Sequence, residues 1–161
     1  MSIGSGSCGN CYYLGVGDYG ILIDAGIPSK TIRTALKKEG IPFESICAMF
    51  VTHDHADHIK SLGVISSKAN IPVYATLLTA GLINGKLSEH KLQHEVKINI
   101  VEAGNVVKLG DFDVEFIKVN HSIPDAVALA IKCEEGTIVQ TGDFKIDTCP
   151  IDGSRINLNR F

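Results

Sequence analysis

The run VTHDHADH constrains this chain more than any other stretch. His53, His55 and His58 stand with Asp54 and Asp57 inside six residues, directly after the apolar segment that ends Phe50–Val51. Desolvating so many imidazoles and carboxylates at the end of a buried strand is costly unless something pairs with them, and a bound metal is the economical partner. His53 and His55, two apart in extended chain, point to the same side and can share one ion, whereas Asp57 and His58 lie past the bend and can reach a neighbouring one. His121 and Asp143 each follow a further apolar, strand-like run. Asp143 has the chemistry of a bridging carboxylate, while a lone histidine such as His121 is ordinarily a core or surface residue when taken by itself. Six metal-capable side chains at strand ends thus point to a hydrolytic centre of two ions. Such pairs, about 3.5–4 Å apart, clamp a hydroxide and the oxygens of a phosphodiester in many phosphatases and nucleases.

The surrounding pattern reads as α/β. Strands are expected over 11–14, 21–24, 46–52 and 72–75, with a helix capped by Ser29 and ended at Gly40, a second helix over 56–69 and a third over 77–85. After Glu95 the texture changes to strands over 98–101, 106–109, 112–120, 126–132 and 137–141, punctuated by glycines. Gly4, Gly6 and Gly9 satisfy G-x-G-x-x-G, yet a dinucleotide fingerprint follows a strand and opens a helix, whereas this one begins three residues from the N-terminus and runs into CYYL. It therefore reads as a glycine loop before a strand rather than a nucleotide cradle.

Composition fits one soluble domain over 1–161. The chain is 45% hydrophobic, long enough for one core, and has no run that approaches a membrane span or a signal peptide, so a cytoplasmic address is expected. Five cysteines, an odd number, argue for reduced thiols, and Cys8 and Cys11 form a single C-x-x-C without a second pair. A net charge of -3 and a pI of 6.0 supply no basic patch for nucleic acid, although metal ions can themselves hold phosphates. His90 and His94 share i, i+4 spacing in KLSEHKLQHE, where a solvated helix face is the ordinary reading.

On these motifs the chain resembles the metallo-β-lactamase superfamily, and within it the nucleic-acid-processing branch. Asp24 in ILIDAG resembles the first family motif, His53 to His58 the second, His121 the third and Asp143 in QTGDF the fourth. No later histidine corresponds to the fifth. The stretch from Gly4 to about Thr76 is most similar to WalJ-type single-domain exonucleases, and that from about Leu78 to ribonuclease J, through NHSIPDA and QTGDFKID. A natural intermediate, a recombinant of two relatives and a truncated piece without the β-CASP domain would all carry such a seam.

The resemblance implies the N-terminal half of an αββα sandwich and assigns roles. His53, His55 and His121 would hold the first ion, and Asp57 and His58 the second. Asp143 would bridge, and Asp57 would orient the attacking hydroxide. Asp24 would fix a ligand histidine by a hydrogen bond, unless it is merely a strand-end carboxylate, and Ser122 would contact phosphate or else cap a turn. Two zinc ions, with manganese as the alternative, and an RNA or single-stranded DNA substrate follow for a ribonuclease J-like phosphodiesterase. A catalytically idle fragment or chimera that keeps the motifs as folding elements is one alternative. A thioesterase- or lactonase-class metallohydrolase is another. A half-sandwich would leave the alternating face of FDVEFIKV uncovered, so self-association into a homo-oligomer is expected, with His90 or His94 as donors from a partner.

Overall fold

The computed structural model describes residues 1–88, 92, 94–151 and 153–161, and the elements below are those of the described residues. Strands β1 (Ser2–Gly4), β2 (Cys11–Val16) and β3 (Tyr19–Ile23) run antiparallel, and β3 continues in parallel to β4 (Ile46–Phe50), β5 (Val73–Thr76) and β6 (Ile98–Val101). Helices α1 (Ser29–Lys38), α2 (Ala56–Ile59) with α3 (Leu62–Ala69), and α4 (Leu77–Leu87) make the parallel crossovers. Because the strand order β3 to β6 advances in one direction, right-handed crossovers must deposit every helix on the same face. The other face is left for a second sheet, the antiparallel β7 (Val106–Leu109), β8 (Phe112–Lys118), β9 (Val127–Cys133) and β10 (Gly136–Gln140), in the order β10-β9-β8-β7.

Strand alternation decides which residues go where. Leu22, Met49 and Val51 point into the helix layer with Ile32, Leu36 and Ile65, whereas Ile21, Ile23, Ala48 and Phe50 point into the second sheet against Phe112, Val114, Phe116, Leu129 and Ile131. Phe50, fully buried, stacks on Tyr74 at 5.0 Å and tilts against Phe116 at 5.9 Å. Truncating such a side chain removes about 3–5 kcal/mol. The result is a helix layer and two facing sheets, three layers of the expected sandwich.

Several local expectations are revised. The helix expected over 56–69 is two, broken at Lys60–Ser61. A continuous helix would need the carbonyls of Asp57 and His58 as internal acceptors. Instead Asn10 N donates to the Asp57 carbonyl at 2.7 Å, Ala25 N to the His58 carbonyl at 2.7 Å, and Ser61 N turns to the Ala25 carbonyl at 2.8 Å. Gly26 permits this docking, since a Cβ there would lie 1.5 Å from the Asp57 carbonyl oxygen. Pro28, not Ser29, is the N-cap of α1, its carbonyl accepting from Thr31 and Ile32. The extra strand β1 went unforeseen in a segment rich in glycine and serine.

The face of FDVEFIK is not bare either. Its inner side meets the first sheet, and on its outer side Ile117 shares a small cluster with Val119, Ala128, Ala130 and Ile156, while Glu115 is paired with Arg160. The segment around 154–161 therefore covers part of that face. None of the five cysteines is bridged, Cys8 being exposed and Cys11 buried in the core with its thiol pushed up to about 12, by burial first and by the Asp24 charge second. No helix among the described residues is long and apolar enough to cross a membrane.

Candidate metal centre

Every strand-end residue singled out in the sequence leaves its sheet at one place, where the two sheets are stitched together by Val127 N donating to the Thr52 carbonyl at 3.0 Å. The parallel strands β3 and β4 deliver Asp24 and the 52–58 loop, β8 runs on to His121, and β10 runs on to Asp143. Open α/β sheets present such sites beyond the carboxyl ends of their strands, because backbone positions there are fixed by the ladder while the side chains are free to converge.

Among the described residues two donor groups result, each with ligand atoms within 4.8 Å of one another: His53, His55 and His121, and His53, His58 and Asp143. In the first, His55 Nδ1 lies 3.1 Å from His53 Nε2 and 3.3 Å from His121 Nε2. In the second, His58 Nε2 lies 3.6 Å from Asp143 Oδ1 and equally 3.6 Å from Asp57 Oδ2, which puts Asp57 at the edge of the group. His53 belongs to both, its ring 4.0 Å from that of His58 and 4.8 Å from that of His121. Asp54, for all its place in the run, turns away and is held by Lys86 Nζ, which bonds its carbonyl at 2.7 Å. His94 belongs to neither group, its backbone N–H bonding Ser67 Oγ, and His90 lies outside the described residues.

Beneath the cluster a buried network sets the tautomers. Asp24 is 1% exposed with φ +57, a left-handed conformation that aspartate tolerates better than most residues, and its carboxylate accepts from Thr52 N at 2.9 Å, Thr52 Oγ1 at 2.8 Å and His58 Nδ1 at 2.8 Å. Thr52 Oγ1 gives its single proton to Asp24, so it can only accept from His53 Nδ1 at 3.1 Å. Both histidines thus keep their protons inward and present the Nε2 lone pair to the cluster, an assignment made from the bonding network. Among the residues of the run's neighbourhood, Thr52 escaped the sequence reading although it directly precedes His53.

Asn10 escaped it too. Buried at 7% exposure, it reaches His58 Nε2 at 3.0 Å and Asp57 Oδ2 at 3.4 Å, and it clasps the glycine loop by donating to the Gly6 carbonyl and accepting from Gly6 N. The only signal was its position in GSGSCGNC, a loop that otherwise reads as structural.

The electrostatics divide the histidines. His53 is held down to about 3, by burial first and then by the charges His58, His121 and His55 would carry. His121 is lowered by burial and by His55, against the pull of Asp143. For His58 burial also pulls down, but the bond and charge of Asp24, helped by Asp143 and Asp57, outweigh it and raise the pKa. Burial pushes Asp24 up, yet its three donors require an acceptor, so the shared proton rests on His58. Ser122 is exposed beside His121 on the wall of a cavity.

A family profile described as Metallo-beta-lactamase superfamily matches residues 7–156. Ribonuclease J of Sinorhizobium meliloti is 41% identical over 114 residues, covering 71% of this chain and 20% of that protein. Ribonuclease J of Helicobacter pylori is 40% identical over 118 residues, covering 73% and 17%. The chain therefore spans about a fifth of the length of these relatives. Among solved structures, a Cronobacter sakazakii metallo-beta-lactamase with a HARLDQ motif superposes with a TM-score of 0.76 at 17% identity, over 90% of this chain and 56% of that one, a likeness of fold alone. With donors converging at the joined ends of two facing sheets and a profile match over nearly all of its length, this chain belongs to the metallo-beta-lactamase superfamily.

Proposed function

We propose that the cluster is a two-metal centre and that the chain is the metal-binding part of a ribonuclease J-like phosphodiesterase acting on RNA, or on single-stranded DNA. The observation that carries this reading is the pair of adjacent donor groups sharing His53, in a chain 41% identical to a ribonuclease J over most of its length. The residues fit divalent ions: imidazoles kept neutral or oriented by a carboxylate, with lone pairs facing one another and carboxylates on the open side. His53, His55 and His121 would hold one ion, and Asp57 and His58 the other, with Asp143 between them. Ions held there would supply charge neutralisation for a phosphodiester and lower the pKa of water toward neutrality.

The chain's own residues do the positioning. Asp24 locks the His58 ring, Thr52 locks that of His53, and Asp57, steadied by Asn10, would orient the attacking hydroxide. Nitrogen-rich donor sets with carboxylates favour zinc, with manganese the competitor. A cytoplasmic address follows from the RNA substrate. Large apolar side chains exposed on β10 and after it, Ile138, Phe144 and Ile146, favour a homo-oligomer, which light scattering over a range of concentrations would show.

The test is zinc content by elemental analysis together with hydrolysis of a 5′-labelled oligoribonucleotide by the purified chain. Two ions and metal-dependent cleavage are expected. Two ions without cleavage would mean that the motifs persist as folding elements. A thioesterase- or lactonase-class reading has its own observation, a cavity of about 660 Å³ walled by Ile59, Leu62, Val64, Ile83 and Leu87 with Asp57 at its edge. Turnover of an acyl thioester in place of the oligonucleotide would favour it.

A further inference from the structure

A second cavity, of about 350 Å³, has a wall that includes His121, Ser122, Asn120, Lys145, Asp125 and Asp147. We propose that this cavity is a phosphate subsite in which Lys145 holds the charge of a substrate phosphate next to the metal centre; the inference rests on the phosphodiesterase reading. The first ground is placement by backbone. Asn120 and Lys145 form an antiparallel bridge, Lys145 N donating to the Asn120 carbonyl at 2.7 Å, so Lys145 stands beside the residue that precedes His121 and two residues after Asp143. Asn120 is itself pinned, 6% exposed, with Oδ1 accepting from Ile156 N at 2.8 Å and Nδ2 donating to the Ser154 carbonyl at 2.8 Å. The lysine stem therefore starts from a fixed point although its head is in solvent.

The second ground is charge. Asp24, Asp57 and Asp143 gather at the cluster, and an anionic substrate approaching them needs cations on the protein surface as well as in the centre. Lys86, on the wall of the apolar cavity, is occupied with Asp54, whereas Lys145 is the cation among the described residues of the second wall, which also carries Asp125 and Asp147. Its Nζ lies 3.1 Å from Asp147 Oδ2, with the lysine side chain 55% exposed. The Asp147 side chain is 27% exposed and its Oδ1 accepts from Cys149 N at 3.0 Å. That carboxylate is held in place while the lysine head can exchange partners, and a phosphate offers more charge and more acceptors than one carboxylate. Ser122 Oγ, exposed on the same wall, supplies a hydroxyl donor.

The experiment is a titration of the ¹⁵N-labelled chain with inorganic phosphate, following the amides of Ser122 and Lys145. Saturable shifts are expected at both. Lys145→Met should weaken the affinity about tenfold or more, the scale of one charge-assisted bond. Lys145→Arg should stay within about threefold, and neither variant should move the melting temperature, since the head group is in solvent. No saturable shift, or an affinity indifferent to Lys145→Met, overturns the proposal. Zinc measured on the same samples reports separately on the metal centre. A chain that holds two ions while ignoring Lys145 loses this inference and keeps the phosphodiesterase reading, whereas a chain that binds phosphate through Lys145 without metal keeps the subsite and loses that reading.

Discussion

The two halves of the donor cluster share His53 yet are built on different principles. The half made of His53, His55 and His121 is all imidazole and owes its character to burial, which keeps His53 neutral far below the usual histidine range. The half in which His53 is joined by His58 and Asp143, with Asp57 at its edge, opens to solvent, the Asp143 side chain being 47% exposed, and owes its character to charge, with Asp24 driving His58 the opposite way. Neighbouring rings 4.0 Å apart can thus be given opposite proton affinities by what lies beneath them. One half is set by the strand end, the other by loops brought to it.

The sharpest way to break this division is His53→Ala. Because His53 would hold the first ion and also lies within the second donor group, the variant should lose the first ion and hold the second more weakly, whereas His121→Ala should lose about one and leave the His58 half fully loaded; elemental analysis distinguishes them. With metal at a hundredfold its dissociation constant, each lost site should also lower stability by about 2.7 kcal/mol, read as a melting shift. Equal metal content in His121→Ala and the parent chain would remove His121 from the first half.

Asp143→Asn tests the open half. It keeps shape and removes charge, so phosphodiesterase activity should fall about a hundredfold, the scale of losing one preorganised group, while the melting temperature of the metal-free chain hardly changes. Full activity at saturating metal would rule out a bridging role.

Asp24→Asn sharpens the comparison from beneath. A carboxylate that orients a ligand histidine is worth about 10–100-fold in metal affinity, and here the loss should fall on the His58 half alone. An equal loss at both halves would show that Asp24 serves the fold around Thr52 rather than the ring of His58.

The smallest effect is a pH dependence of the metal-free chain with two limbs. As pH falls from about 6.5, the unfolded chain protonates His53 while the folded chain resists until about pH 3, so stability declines with acid over that window. His58, raised in the folded state, contributes stability that is fully present below about pH 6.5 and is lost as pH rises through its raised pKa. Chemical denaturation across pH should show the acid limb flattened by His53→Gln and the upper limb flattened by Asp24→Asn. Both variants flattening the same limb would defeat the division.

Much of this was legible in the chain. The ligand run is contiguous, and an apolar strand ending in H-x-H-x-D-H carries its chemistry in its spacing. His121 and Asp143 were legible as strand-end residues, and the fold brought them to the run. Asn10 and Thr52 were not, because a buried amide or hydroxyl has no distinctive pattern until its partner is known, and Asn10 meets His58 across 48 residues of chain. The broken helix hid for the same reason: its apolar period is continuous, and the amides of Asn10 and Ala25 that interrupt it come from the loops before β2 and after β3.

By itself, then, the sequence determined the strand alternation, the two faces of the first sheet and the kinds of side chain delivered to its end, since these depend on local periodicity and residue chemistry. Only the tertiary structure decided which imidazole is neutral and which is driven toward charge, that Asp54 turns to Lys86 while Asp24 turns to His58, and that Lys145 stands beside His121. Those outcomes depend on desolvation and on distances between segments far apart in the chain, quantities that exist only once the two sheets have closed on each other.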